Sequence, residues 1–304
     1  MTDTGPSHVP VLAEAVIEYL SGPHRQVIVD CTVGLGGHSK LLLEDMPNVR
    51  VIGLDRDPAN LALAADSLSS FSGRVQLSHS DFGKLETVLA ELGVDRVDGI
   101  LADLGLSSNQ LADGRRGFSF EADGPLDMRM DPGQRTTAAD LVNSLSSGEL
   151  ANLLYMQSQE SHSRIISKRI CEARRRGRLD SSVELARLVA SAVGQRPSSH
   201  RRRIHPATRT FMALRMAVNA ELGSLHALLS HVPKFLRPGG RIAVISFHSM
   251  EDRIVKKDFR GRSIEGLYRL VNKKPIMADR DERRLNPRSR SAKLRVAEMQ
   301  VSYL

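Results

Sequence analysis

The segment VIVDCTVGLGGHSK, Val27–Lys40, is the most informative part of this chain about its fold. Its apolar run, Val27–Val29, predicts a buried strand that ends at Asp30. Three glycines occupy the following turn: Gly34, Gly36 and Gly37. His38 and the residues after it can begin a helix. A strand, a glycine turn and a helix in this order are typical of nucleotide-binding domains, because glycines let the backbone approach a ligand beside a helix N-terminus.

The glycine spacing and the neighbouring acids indicate which ligand this turn could hold. The order here is G-x-G-G-H, whereas a dinucleotide site needs G-x-G-x-x-G, and no P-loop lysine follows. Asp30 would repel a pyrophosphate but attract an ammonium group. A second strand, Val51–Leu54, ends at Asp55, which is placed to bind a ribose diol. S-adenosylmethionine (SAM) carries an ammonium group, a ribose diol and no phosphate, so Asp30, Gly34 and Asp55 predict a SAM site.

Composition narrows the class of protein. The 304 residues are 41% hydrophobic, which is enough for a sizeable core. No apolar run approaches membrane-spanning length, and the N-terminus lacks a charged-then-apolar signal. Two cysteines cannot build a disulfide framework or a zinc site, so a cytoplasmic protein without a metal is expected. Cys31 is expected to pack within the loop, which disfavours catalysis by a thiolate nucleophile. Direct methyl transfer from SAM to an amine or a hydroxyl remains.

Charge is distributed unevenly along the chain. Residues 1–113 carry a net charge of −9, residues 114–205 carry +6, and residues 241–304 carry +8. The alternative explanation is a set of solvated helix faces, but this asymmetry favours a path for a polyanion such as RNA over the basic parts. The candidate phosphate-binding clusters are Arg174–Arg176 with Arg178, Arg201–Arg203, and Arg288, Arg290, Lys293 and Arg295.

Apolar segments and helical segments alternate in the first third of the chain. The predicted strands there are Val27–Val29, Val51–Leu54, Val75–Leu77 and Val97–Leu101. This alternation predicts an α/β fold in which a parallel sheet is covered by helices on both faces. The strand pattern resumes late in the chain with Arg241–Phe247 and a closing hairpin made by Leu267–Val271 and Leu294–Val301.

The middle of the chain shows helical periodicity without strands. Apolar residues recur at helical spacing there, as in Leu185, Leu188, Val189 and Val193. We therefore predict a helical, basic substrate-recognition domain at residues 114–205, inserted into an α/β domain of residues 1–113 and 206–304. Thr208–Leu229 is expected to form one long helix after the insertion.

Further candidate side chains follow the third, fourth and fifth strands. Asp103, after the fourth, is expected to contact the cofactor or the nucleophile, although it could also cap a turn. Asp81 could reach an adenine amino group and Phe82 could pack on the adenine, or the pair could be a helix cap and a core aromatic. His248, after the fifth, could orient or deprotonate a reacting group, with helix capping as the alternative.

Long segments of the chain closely resemble one family, the RsmH (MraW) methyltransferases. The matching segments are His8–Val16, Asp30–Ser39, Asp55–Asp57, Asp98–Gln110, Arg116–Phe120, Asp123–Asp131, His205–Leu222, Ser246–Lys256 and Asn286–Ala297. Enzymes of this family use SAM to methylate the exocyclic N4 of a cytidine in the decoding region of small-subunit ribosomal RNA (rRNA). The resemblance therefore implies a class I (Rossmann-like) SAM methyltransferase sheet with an inserted helical domain.

The resemblance also implies roles for particular residues. Gly36, Gly37 and His38 are expected to line the methionine part of SAM, and Asp55 to hold its ribose. Phe82 is expected near the adenine, while Asp103 and Gln110 close the pocket. The catalytic candidates are the two strand-end residues Asp103 and His248. Rings that could stack on a splayed cytosine are Phe118, Phe120 and Phe247.

Two competing functions are less favoured. The glycine loop together with both strand-end motifs argues against a non-catalytic SAM- or RNA-binding factor of ribosome assembly. A DNA amino-methyltransferase usually has Pro-Pro-Tyr or Pro-Pro-Trp after the fourth strand, where this chain has Leu104-Gly105-Leu106. The expected partner is rRNA or the small ribosomal subunit, with no membrane, and homodimer formation is left open.

Overall fold

The computed structural model describes residues 10–194 and 205–300. Its strands within these residues are β1 (Val27–Asp30), β2 (Arg50–Asp55), β3 (Val75–His79), β4 (Val97–Asp103), β5 (Leu236–Ser246), β6 (Tyr268–Leu270) and β7 (Lys293–Met299). They form one sheet in the order β3-β2-β1-β4-β5-β7-β6. The first five strands pair in parallel, whereas β7 is antiparallel to both β5 and β6. The Rossmann-like sheet and the closing hairpin predicted from the sequence are confirmed.

Helices connect and cover these strands. In the described part of the chain they are α1 (Ala13–Leu20), α2 (Gly37–Asp45), α3 (Pro58–Ser67), α4 (Leu85–Glu91), α5 (Ser108–Ala112), α6 (Ala138–Ser144), α7 (Ser147–Ser158), α8 (Ser163–Ala173), α9 (Ser182–Ala192), α10 (Thr208–Val218), α11 (Glu221–Phe235), α12 (Ser249–Ile264) and α13 (Arg280–Leu285). Side-chain caps begin several of them. Asp57 accepts a hydrogen bond from the Ala59 amide at the start of α3, and Thr137 and Asp140 form a capping box on α6.

The two faces of the sheet bury separate apolar cores. Successive side chains of a strand point to opposite faces, so Ile28 and Val29 of β1 belong to different cores. Ile28 packs in the core that includes residues of α1, α2 and α3, and Val29 packs in the core of α4, α11 and α12. Burial on both faces explains why the parallel strands read as continuous apolar runs.

The chain divides into two compact units, which we call the sheet unit and the helical unit. The sheet unit comprises the described residues up to 107 and from 223 onwards, and the helical unit comprises those between 108 and 222. The helical unit is therefore longer at both ends than the predicted insertion of residues 114–205. It includes α10, because α10 packs on α7 within this unit.

The prediction of a single helix over Thr208–Leu229 is wrong. The structure has two helices, α10 and α11, separated at Asn219 and Ala220, and Ala220 has a left-handed φ of 50°. The buried Asn219 side chain accepts from the Met130 amide at 2.8 Å and donates to the Met128 carbonyl at 2.7 Å. The helix breaks here because this side chain bonds a distant loop, a contact that helical periodicity does not reveal.

Candidate cofactor site

Three aspartates end three neighbouring strands of the sheet unit. Asp30, Asp55 and Asp103 are the last residues of β1, β2 and β4, and β1 lies between the other two strands. Because parallel strands bring their carboxyl ends to one edge, the three carboxylates lie along the edge where ligands bind in open α/β sheets. The strand-end positions inferred from the sequence are therefore confirmed, while their roles stay predictions.

The glycine loop joins the end of β1 to α2 and is fixed to the end of β2. Gly34 and Gly36 have φ values of 53° and 85°, in the left-handed region where residues with a Cβ are strained. Gly36 is also the N-cap residue of α2. The Gly34 amide donates a 2.9 Å hydrogen bond to Oδ2 of Asp55, so the strand-end acid holds the loop as well as facing the ligand edge.

Asp55 has further partners of its own. Its Oδ1 accepts from the Asp57 amide at 2.8 Å, and its Oδ2 accepts from Asn60 Nδ2 at 3.1 Å. Burial raises the pKa of the Asp55 carboxyl to about 6, and these hydrogen bonds oppose that shift only in part. A carboxylate has about four acceptor positions, so three bonds leave capacity for a ribose hydroxyl.

Asp30 is a buried carboxylate held by the same loop. Its Oδ2 accepts from the Ser39 hydroxyl at 2.7 Å and its Oδ1 accepts from the Thr32 amide at 3.2 Å. Desolvation raises the pKa of Asp30, and the bond from Ser39 counteracts it. Sequence reasoning missed Thr32 and Ser39, although hydroxyl residues flanking a glycine turn are a usable signal.

His38 and Asp103 form a pair in which several buried polar atoms have unused hydrogen-bonding capacity. His38 Nε2 lies 3.4 Å from Asp103 Oδ2. The His38 side chain is 7% exposed, and neither of its ring nitrogens nor Asp103 Oδ1 has a hydrogen-bond partner among the described residues. The Asp103 amide itself donates to the Thr32 hydroxyl at 2.7 Å, which fixes the backbone of β4 beside the loop. Buried polar atoms without partners are rare, so this pair fits a polar ligand that completes it.

Asp81 and Phe82 follow β3 as predicted, but Asp81 already has partners. It forms an ion pair with Arg56, accepts from the Gly83 amide at 2.6 Å and accepts from the Ser224 hydroxyl at 2.9 Å. Phe82 is partly buried against the core of α4, α11 and α12. These contacts match the alternative of a cap and a core aromatic, and the adenine contacts stay predictions.

His248 is the N-cap residue of α12. Its Nδ1 accepts from the Glu251 amide at 3.5 Å, and its Nε2 lies 2.9 Å from Glu251 Oε1. Glu251 Oε2 accepts in return from the Phe247 and His248 amides at 3.0 and 3.3 Å. Both ring nitrogens therefore face the helix that His248 begins, which is the capping alternative considered above.

The capping geometry predicts different effects on stability for two substitutions of His248. We expect His248→Ala to lower the free energy of unfolding by about 1 kcal/mol, because the cap is lost. We expect His248→Asn to keep both stability and turnover, because asparagine caps helices well. Thermal melts and single-turnover methylation measure the two effects. A hundredfold loss of turnover in a stable His248→Asn variant would instead establish the predicted catalytic role.

Gln110 and two of the aromatic candidates belong to the helical unit. Gln110 lies on α5 and is 3% exposed. Phe118 is buried, with the Arg116 guanidinium 5.5 Å from its ring centre. Phe120 packs against His205 and Phe211, with ring centres 4.6 and 4.8 Å apart. Within the sheet unit, Phe247 is partly buried beside Gly105.

Several of the predicted phosphate-binding arginines already form hydrogen bonds or ion pairs within the protein. Arg174 donates to the Val142 and Leu145 carbonyls at 2.7 Å and so caps the end of α6. Arg178 pairs with Asp140 and Asp180 at 2.9 Å, and Arg295 and Lys293 pair with Asp252. Arg175, Arg176 and Arg290 are exposed, whereas Arg201–Arg203 lie outside the described residues.

A pocket in the helical unit is unsuited to phosphate. It has a volume of about 350 Å³, and Arg178 is outnumbered on its wall by Asp123, Asp180 and Glu184. Among the described residues, no group of three or more His, Cys, Asp or Glu side chains is arranged to hold a metal ion. No helix in the described ranges is long and apolar enough to cross a membrane.

The parallel sheet with its glycine loop has the Rossmann-like architecture expected of a class I methyltransferase. The chain belongs to the MraW methylase family, whose profile matches residues 6–300, so the resemblance seen in the sequence is confirmed. It is 45% identical over 310 residues to the ribosomal RNA small subunit methyltransferase H of Methylobacterium nodulans, covering 96% of this chain and 90% of the relative. The proteins of the same name from Synechococcus elongatus and Sorangium cellulosum are 48% identical over 292 and 293 residues, covering 96% of this chain and 94% and 91% of theirs.

Proposed function

We propose that this protein transfers a methyl group from SAM to the exocyclic N4 of one cytidine in small-subunit rRNA, near the decoding centre. The observation that carries the proposal is the row of strand-end carboxylates beside a glycine loop, with buried polar atoms of His38 and Asp103 that lack hydrogen-bond partners in the described residues. Full-length similarity to rRNA small subunit methyltransferases supports the choice of substrate. Cytoplasmic location stays a prediction, and homodimer formation is left open.

The residues of the site suit SAM in charge and in hydrogen bonding. Asp55 would accept from the ribose hydroxyls, and the carboxylates of Asp30 and Asp103 would attract the ammonium group. His38 follows the glycine loop and would bind the methionine part. When bound, SAM supplies an electrophilic methyl group on its sulfonium.

The target amine needs help from the protein. The lone pair of a cytosine N4 is delocalised into the ring, so the amine is a weak nucleophile. Asp103 Oδ1 is buried and has no partner in the described residues, so it can accept a hydrogen bond from the amine and orient its lone pair. Proton loss from the methylated amine would follow, with Asp103 as the candidate acceptor.

Mass mapping of modified nucleotides tests the proposal directly. The full-length protein is incubated with SAM and small ribosomal subunits that lack the modification, or with naked rRNA. We expect one new N4-methylcytidine, and its location would show which substrate form is used. SAM and RNA binding without methyl transfer would favour a non-catalytic assembly factor. Methylation of DNA adenine or cytosine would favour a DNA amino-methyltransferase.

We propose that exposed cations of the helical unit form the surface that contacts the RNA backbone. On α8, Arg164 and Lys168 are four residues apart on one exposed face and have no acidic partner within the described residues. Arg175 and Arg176 are exposed just beyond the end of α8. Cations without ion-pair partners can neutralise phosphates at the least cost, so these four are better candidates than Arg174 or Arg178.

Replacing Arg164, Lys168, Arg175 and Arg176 with Gln is expected to weaken RNA binding and leave SAM affinity unchanged. The slope of log affinity against log salt concentration should flatten by about 0.7 for each lost contact with single-stranded RNA. Arg50→Gln is a matched control, because Arg50 is exposed at the amino end of β2, opposite the ligand edge. An unchanged slope would show that the four cations are only solvated.

A further inference from the structure

The segment Pro10–Leu12, which we call the strap, lies directly against the glycine loop. A Cβ placed on Gly37 would come within 2.7 Å of Pro10 Cγ, so glycine at the start of α2 lets the strap pack this closely. Val11 and Leu12 are buried in the same apolar core as Val33 of the loop. The position of the strap therefore bears on the conformation of the loop proposed to hold SAM.

The backbone of the strap is strained at Leu12. This residue has a φ of 54° and a ψ of 36°, a left-handed conformation in which the Cβ of an L residue is crowded. Such a conformation persists only where surrounding contacts impose it. Burial of the Leu12 side chain is one such contact.

A second contact comes from the other end of the chain. The Leu12 amide donates a 2.7 Å hydrogen bond to Oε1 of Glu282 on α13, 270 residues away in sequence. An ionised acceptor makes this bond stronger than one between neutral groups. The Glu282 side chain has no other hydrogen-bond partner in the described part of the chain.

We propose that Glu282 is a positioning residue for the cofactor. Its carboxylate fixes the strained strap, and the strap in turn keeps the glycine loop in the conformation that binds SAM. The inference rests on the proposed SAM site and extends it to a residue that does not touch the cofactor. It also connects the C-terminal α13, which carries Arg280, Arg283 and Arg284, to the loop near the start of the chain.

Calorimetric SAM titration of the full-length variants tests this inference. We expect Glu282→Ala to raise the Kd for SAM about tenfold, which corresponds to losing one charge-assisted hydrogen bond. Glu282→Gln keeps an acceptor oxygen and is expected to restore most of the affinity. Asp281→Ala is the matched control, because it removes an exposed carboxylate from the same helix, and it should bind SAM like the wild type.

A double-mutant cycle shows whether the effect travels through the strap. Pro10→Ala removes the ring atoms that contact Gly37, so Glu282→Ala should cost little further affinity in that background. If the wild type binds SAM, three results would overturn the inference. They are additive losses of SAM affinity in the double mutant, an unchanged Kd in Glu282→Ala, and an equal loss of affinity in Asp281→Ala. Failure of the wild-type protein to bind SAM would instead remove the proposed function, and the inference with it.

Discussion

Asp103→Asn is expected to lower single-turnover methylation about a hundredfold or more while the protein stays folded. The substitution keeps the shape of the side chain but removes its negative charge and one acceptor oxygen. Asp103 Oδ1 is buried without a partner in the described residues, and the backbone amide of Asp103 would keep its bond to Thr32. The loss therefore falls on whatever ligand this oxygen binds, and positioned proton acceptors contribute roughly a hundredfold or more to rate.

The same substitution elsewhere on β4 provides the control. Asp98 lies near the amino end of β4, where its Oδ2 accepts from the Gln26 and Val27 amides at 2.9 Å. Asp98→Asn should lower the melting temperature and leave turnover per folded molecule intact. Wild-type turnover in Asp103→Asn, measured with saturating SAM and assembled small subunits, would contradict the assignment of Asp103 as the group that orients the amine.

Asp55→Ala is expected to weaken SAM binding about tenfold or more. A charge-assisted hydrogen bond to a ribose hydroxyl contributes about 1.5–3 kcal/mol, and the variant also releases the Gly34 amide from Oδ2. Calorimetry on the folded variant measures the loss. Asp66→Ala, which removes an exposed acid from α3, is a matched control that should leave the Kd for SAM unchanged. Equal affinity of Asp55→Ala and wild type would exclude Asp55 from the site.

The raised pKa of Asp55 adds a pH dependence to this prediction. The folded-state pKa is about 6, above the usual 3.8, so between about pH 4 and pH 6 the folded protein holds a proton here that the unfolded chain releases. This group therefore favours the fold most at low pH, and that contribution is lost as pH rises from about 4 to about 6. The pH dependence of SAM binding has the opposite sign, because the ionised carboxylate is the better acceptor for the ribose diol.

We therefore expect the SAM affinity of the wild type to fall as pH decreases below about 6. Asp55→Asn should bind less tightly at neutral pH and show a flatter profile, because its amide does not titrate. Asp30, whose pKa burial also raises, is present in both proteins, so the difference between the two profiles isolates Asp55. Parallel profiles for the two proteins would mean that another group controls the pH dependence.

Local sequence patterns are enough to predict the sheet, the glycine loop and the strand ends where a ligand could bind. Alternating apolar segments specify buried parallel strands, and the acids that end three of them must lie at the carboxyl edge of the sheet. The positive φ values of Gly34 and Gly36 agree with the glycine turn expected between β1 and α2. These features are local: each depends on a few consecutive residues, and periodicity and composition are enough to find them.

Which side chains remain available for a ligand depends on contacts that form only when the chain folds. His248 and Asp81 are bonded to the starts of the helical turns that follow them, and Arg174 caps α6 from 29 residues further along the chain. Asn219 breaks a helix by bonding a loop about 90 residues earlier in the chain. Glu282 accepts a hydrogen bond from Leu12, which lies 270 residues earlier. The physical reason is that a polar group takes the partner that folding brings within about 3 Å, and sequence spacing does not record such distances.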